Sequence, residues 1–283
     1  MIRKQDKGLN AIGFVMTEPC EQLKGFIQCY WFIKTDERLR EPMINKIISD
    51  GGSGFVLNFG TPFIIYSGEE TCLVKGKTVF TGVTDQTVLL KLKHRVDAVG
   101  IRFFPGVSSL ILDDFLKENI NSIGAVDDSV IQGLSTVYDE ILNAVGFDEK
   151  TKLLDSFLMN VFREHLTAEK AWILRVIDHI NDCGGNESVE DIASKFALSR
   201  RQFSRKFKQE AGLTPKQYLR IARIAKARSL MRDKDEVSLT TVGYECEYYD
   251  QAHFIKEFKD VVNLTPKEYH SDKKMSRLYN QEK

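Results

Sequence analysis

The chain has 283 residues, 42% of them hydrophobic and 28% charged, with 40 basic side chains against 40 acidic ones. Such a chain folds rather than staying disordered, and its length suits two ordinary domains. No apolar run approaches the ~20 residues of a membrane helix. The polar start, residues 1–10, does not read as a secretory leader. Five scattered cysteines form no CxxC pair and no zinc-type spacing, so they are expected to be reduced thiols in a cytoplasmic protein. No metal and no cofactor is expected.

Neutrality conceals an asymmetry. Residues 1–166 carry a balance of −4 and residues 167–283 a balance of +4. Within the second part, residues 199–232 hold eleven basic groups and one acid, Glu210. That density points to a polyanionic partner.

In chain order, residues 26–33, 54–59, 63–66, 79–80, 87–92 and 98–104 read as short strands separated by turn formers such as Asp50-Gly51-Gly52 and Gly60-Thr61-Pro62. Many short strands with frequent turns predict a β-sandwich or barrel. A helical apolar stripe then runs from Val130 to Val145, with Gly146 expected to end it. A second stripe, Leu153 to Leu166, makes a helix pair over about 127–166, which covers the β domain or also serves a dimer contact. A boundary is expected at 166–170, and everything beyond reads as helix. The fold class is therefore α+β with two domains: 1–166, β-rich with a helix pair, and 167–283, all-α.

The second domain repeats itself. Phe203-x-x-x-Phe207-Lys208 recurs 51 residues later as Phe254-x-x-x-Phe258-Lys259, and Leu-Thr-Pro-Lys-x-Tyr follows each copy, at 213–218 and 264–269. Upstream of each lies a short helical pattern with a small residue, Ala193 or Gly243, that lets two helices cross closely. Ser188, Ser199 and Asp250 stand where N-caps are needed. Each copy reads as helix, tight turn, helix, over 188–212 and 238–262, and the second helix of such a unit enters the DNA major groove.

At 100° per residue, the face opposite Phe203 and Phe207 presents Arg201, Arg205 and Lys208, with Gln202 and Ser204 at its edges. Opposite Phe254 and Phe258 lie Ala252, Lys256 and Lys259, flanked by His253 and Ile255. Arginine pairs bidentately with guanine, lysine reaches bases or phosphates, and small or apolar side chains meet thymine methyls. Residues 215–231 read as one helix of ~25 Å, stiff enough to hold two reading helices about one DNA turn apart, ~34 Å.

These residues carry a resemblance. Ile192-Ala193, Ser199-x-x-x-Phe203-x-x-x-Phe207-Lys208, Gly212-Leu213-Thr214-Pro215 and Tyr218, then Tyr248, Asp250-Gln251-Ala252-His253-Phe254, Phe258-Lys259, Leu264-Thr265-Pro266 and Tyr269 make residues 168–272 similar to the DNA-binding domain of the AraC/XylS family of bacterial transcription regulators. The resemblance implies two subdomains in successive major grooves of double-stranded DNA. It places base reading on Arg201, Ser204, Arg205, Gln251, Ala252 and Lys256. Basic Arg200, Lys208 and Lys259 are the expected phosphate contacts. Two positions depart from the family pattern: Glu247 and Asn263 replace its usual glycines.

The β-rich region resembles the family's sensor regions through Cys29-Tyr30-Trp31, Ser49-Asp50-Gly51 and Val99-Gly100-Ile101-Arg102-Phe103. By that analogy it binds a small-molecule effector, forms a homodimer, or both, with Trp31, Asn58, Tyr66 and Arg102 as pocket candidates. RNA polymerase is an expected partner if the protein activates; no membrane partner is expected.

No catalytic residue stands out. His94 is alone in the β region, no nucleotide-binding glycine motif occurs, and Pro19-Cys20-Glu21-Gln22 lacks the histidine that would activate its thiol. The competing expectation is a small-molecule-processing β-domain enzyme fused to a DNA-tethering module.

Overall fold

The computed structural model describes residues 14–35, 39–67, 70–74, 77–112, 123–165, 171–232 and 238–271. The expected domain boundary at 166–170 lies outside them. Among the described residues, ten strands form two antiparallel sheets. The larger has the order β1 (Val15–Thr17), β2 (Ile27–Lys34), β9 (Asp97–Phe103), β4 (Gly54–Asn58), β7 (Thr78–Thr81), β10 (Ile123–Ala125). The smaller has the order β3 (Leu39–Ile47), β8 (Val88–His94), β5 (Phe63–Ser67), β6 (Glu70–Val74).

Period-2 alternation divides the larger sheet between two cores. Ile33, Val56, Val79 and Ala98 pack against Phe63, Ile65, Leu90 and Leu92 of the smaller sheet. Tyr30, Phe32, Phe55, Leu57, Phe80, Val99, Ile101 and Phe103 point the other way, onto helices α1 (Leu134–Asn143) and α2 (Phe147–Val161). The region is a sandwich with a helical third layer. Trp31 lies over Gly100 across the β2–β9 pair, where an added Cβ would sit 1.8 Å from the ring.

The helix pair is shorter than its apolar stripes suggested. Val130 and Ile131 precede α1, because Asp128 accepts from Ser135 N at 2.9 Å and Gly133 takes φ +85 as N-cap. Gly146 does not end this helix: Ala144 is already extended, and Gly146 is the N-cap of α2.

The C-terminal part follows the predicted order: α3 (Trp172–Asp182), α4 (Val189–Lys195), α5 (Arg200–Ala211), α6 (Pro215–Arg232), α7 (Leu239–Glu245), α8 (Gln251–Val262) and α9 (Pro266–Ser271). Helices α3 to α5 pack around Phe203 and Phe207, and α7 to α9 around Phe254, Phe258 and Tyr269. Helix α6 belongs to both cores, giving Tyr218, Leu219, Ile221 and Ala222 to the first and Ile224, Ala227 and Met231 to the second. No helix among the described residues is long and apolar enough to cross a membrane.

Candidate nucleic-acid interface

The recognition helix of the first unit starts at a full capping box. Ser199 Oγ accepts from Gln202 N at 3.3 Å, and the Gln202 side chain accepts from Ser199 N at 3.0 Å. In the second unit Asp250 accepts from His253 N at 2.7 Å. Both turns are closed by a residue in the left-handed region, Ala197 at φ 55 and Glu247 at φ 59. The following anchors, half-buried Leu198 and buried Tyr248, donate their N–H to Ala193 O and Gly243 O, each at 3.0 Å. The small residues at 193 and 243 thus lie where the helices cross.

Glu247 therefore holds the conformation for which glycine is suited, and so does Asn263, at φ 57. A non-glycine residue there costs ~1–2 kcal/mol, part of which the greater chain entropy of glycine offsets. Exposed Glu247→Gly is expected to stabilise the protein by up to ~1 kcal/mol in a urea melt. A loss of stability would contradict this account of the turn.

The two units differ by one residue. Helices α4 and α7 are offset by 50 positions, and α5 and α8 by 51. The extra residue in the second turn is Tyr249, which is 97% exposed.

Around the four fully buried phenylalanines the expected faces emerge. Arg200, Arg201, Arg205 and Lys208 are exposed on α5, with Ser204 half-buried. Gln251, Ala252, Lys256 and Lys259 are exposed on α8. Among the described residues, Arg201, Arg205 and Lys256 have no ion-pair partner. Arg200 pairs with Glu190, and Lys206 lies 4.3 Å from the centre of the Trp172 ring. The surface is a pair of convex helices carrying free cations.

Arg223, read in the sequence only as part of a basic linker, holds the units together. From α6 it donates to Gly185 O at 3.2 Å in the first unit and to Glu257 at 3.3 Å on α8, while its guanidinium lies 5.5 Å from the Tyr248 ring centre. Glu257 also accepts from Tyr248 OH at 3.0 Å. Burial first, and Glu257 next, raise the Tyr248 phenol above its ordinary value, so it stays a donor.

At the end of α3, His179, Cys183 and Glu187 bring their donor atoms within 4.8 Å of one another. The Gly184-Gly185 turn, at φ 62 and 72, folds Glu187 back over His179. An ammonium already sits there: Lys195 Nζ is 2.7 Å from Glu187 and 3.4 Å from His179. Hydrogen bonds from Lys195 and then His179 hold the Glu187 carboxyl below its usual value. The cluster staples α3 to α4.

The four pocket candidates separate. Trp31, Asn58 and Arg102 occupy the inter-sheet face by alternation, whereas Tyr66 lies on the opposite face of its strand from Phe63 and Ile65. Asn58 is buried and its Oδ1 accepts from Gly60 N at 3.1 Å. Arg102 pairs with Asp50. Burial would raise the Asp50 carboxyl, but Arg102, Gly52 N–H and Gln28 outweigh it and lower its pKa. A cleft of about 160 Å³ is lined by Lys77, Thr78, Val126, Leu134, Ser135 and Tyr138, and by none of the four candidates. It is smaller than the ~300–1,000 Å³ of ordinary ligand sites.

Burial, then Asp155, push the Cys20 thiol up, and burial takes Cys246 up to about 11. Both directions oppose the thiolate that a nucleophile requires.

Two helix-turn-helix units on one linker helix, each with an exposed polar or basic face on its second helix, define a DNA-binding protein with a β-sandwich attached. The chain matches a helix-turn-helix domain model over residues 192–272 and a domain model of unknown function over 16–123. It is 40% identical over 235 residues to the transcriptional activator RhaS of Escherichia coli O9:H4, spanning 78% of this chain and 83% of that one. It is 27% identical over 234 residues to RhaS of Klebsiella pneumoniae, with the same coverage. ToxT of Vibrio cholerae, a solved structure, aligns over 85% of this chain and 98% of its own at 13% identity and a TM-score of 0.46. The chain belongs to the AraC/XylS family and is a DNA-binding transcriptional regulator.

Proposed function

We propose that the protein reads one operator with both units, α5 and α8 entering successive major grooves on one side of the duplex. Arg201, Ser204 and Arg205 read bases in the first groove, and Gln251, Ala252 and Lys256 in the second. Arg200, Lys208 and Lys259 hold phosphates, Arg200 exchanging Glu190 for the backbone. Residues 1–166 form the unit that senses a small molecule or dimerises, and RNA polymerase is the partner if the protein activates. It works in the cytoplasm and catalyses no reaction.

One observation carries this reading. The two exposed reading faces belong to helices of 12 residues each, joined through an 18-residue helix whose side chains enter both cores. At ~1.5 Å per residue that helix is ~27 Å long, commensurate with the ~34 Å pitch of DNA once side chains are added.

Salt dependence tests it. If about six phosphates are neutralised, log affinity falls against log salt with a slope near −5. A slope near zero would leave the exposed cations without a role in binding.

A further inference from the structure

We propose that the β domain braces the two reading units at a fixed separation, and that Asp85 and Thr87 are its positioning residues. The inference rests on the two-groove reading above and adds how the pitch is held.

Two turns of the β domain form one cradle, because Ser49 Oγ donates to Thr84 O between them. From the second turn, Asp85 Oδ2 accepts from Arg220 at 2.8 Å and from Gln217 at 3.0 Å, both on α6. The Asp85 and Arg220 side chains are 13% and 23% exposed. Two residues on, Thr87 Oγ1 donates to Val261 O at 2.8 Å, a buried bond to the last turn of α8. The strand that follows, β8, therefore begins at the foot of the second reading helix.

The first turn supplies shape. Ile48 is buried in the second unit's core with Ile224, Phe254 and Phe258. At Gly51, φ +76, an added Cβ would stand 2.7 Å from the Tyr218 ring of α6. The turn itself is held by the Asp50–Arg102 pair and by Gly52 N donating to Asp50 at 2.8 Å. A third point of support reaches the first unit: a Cβ on Gly106 would meet Ile173 of α3 at 2.8 Å.

The β domain thus touches the first unit, the linker helix and the second reading helix, while Arg201, Arg205, Gln251, Ala252 and Lys256 stay exposed. It restrains the units without covering them. Rigid separation makes the second groove contact intramolecular at one spacing and forbids it at others. Each added base pair moves the second site by ~3.4 Å and turns it by about 35°. A braced pair must therefore discriminate spacing.

The test uses the full chain and an operator selected in vitro with the wild type, in versions whose two elements are one to three base pairs closer or farther apart. Wild type is expected to prefer the selected spacing by about tenfold or more. Asp85→Asn and Thr87→Val, each still melting cooperatively, are expected to reduce that preference to within about threefold. The exchange Asp85→Arg with Arg220→Asp is expected to restore it. Variants that keep the wild-type preference, or lose affinity by one factor at every spacing, would overturn the brace. A wild type indifferent to spacing would refute the two-groove reading itself, and the brace with it.

Discussion

Replacing Arg201 and Arg205 together by alanine is expected to weaken operator binding by ~2–6 kcal/mol, roughly thirtyfold to more than ten-thousandfold. The range follows from two arginines each pairing with a guanine edge, at ~1–3 kcal/mol apiece. Both side chains are exposed and lack an ion-pair partner among the described residues, so no ion pair within the fold is broken. Stability should stay within about 0.5 kcal/mol of wild type. Titrations on the selected operator and on single-base variants check the result. Each single substitution should relax preference at one base pair. Equal weakening on unrelated DNA would instead mark both arginines as phosphate contacts, and a loss below about threefold would remove them from the interface.

Arg223→Ala is expected to destabilise the fold by ~2–4 kcal/mol. Removing one partner of a buried ion pair costs ~3–5 kcal/mol, and the figure is lowered because Arg223 and Glu257 are about a fifth exposed (22% and 15%). The substitution leaves Glu257 with the Tyr248 hydroxyl and His253, whose Nε2 lies 3.5 Å away, and leaves Gly185 O without that donor. Because the guanidinium joins the two units, their relative position should loosen as well. Thermal melts of Arg223→Ala, Glu257→Ala and the double variant separate the contributions. The double variant should cost less than the sum of the singles. A single variant as stable as wild type would show that the bridge contributes nothing to holding the units together.

What was legible in the sequence follows burial. The six predicted strands became β2, β4, β5, β7, β8 and β9, the interior strands of both sheets. The four that escaped, β1, β3, β6 and β10, are the four edges. Interior strands bury side chains and so are written in β-branched and aromatic residues. Edge strands are short, as with the three residues of β1 and of β10, or polar and interrupted, which blunts their tendency to pair with other chains. In β3, Arg40, Glu41, Pro42 and Lys46 disguise the strand, and its register with β8 shifts between Leu39 and Met43, around the proline.

The helical half was easier, because its repeat displays the same solution twice. Phe203 and Phe207, then Phe254 and Phe258, set the phase of each reading helix, and burial at 0% agrees with that phase. The inserted Tyr249 was hidden because Phe-to-Phe spacing spans the turn without resolving it. Arg223 looked like any other linker cation, since its partners Gly185 and Glu257 lie 38 and 34 residues away. Asp85 sits in a turn with no periodicity, Thr87 stands at the very start of a predicted strand, and both meet residues more than 130 positions distant. Long-range polar contacts leave no local pattern to read. Residue type alone marks the sensor candidates, and strand alternation places Tyr66 on a different face from Trp31, Asn58 and Arg102.

Hydroxyl-radical footprinting of the full chain on its selected operator tests the central claim most directly. Two protected segments about one helical turn apart, ~10 base pairs, and on one face of the duplex are expected. A single protected segment, or protection on opposite faces, would contradict it.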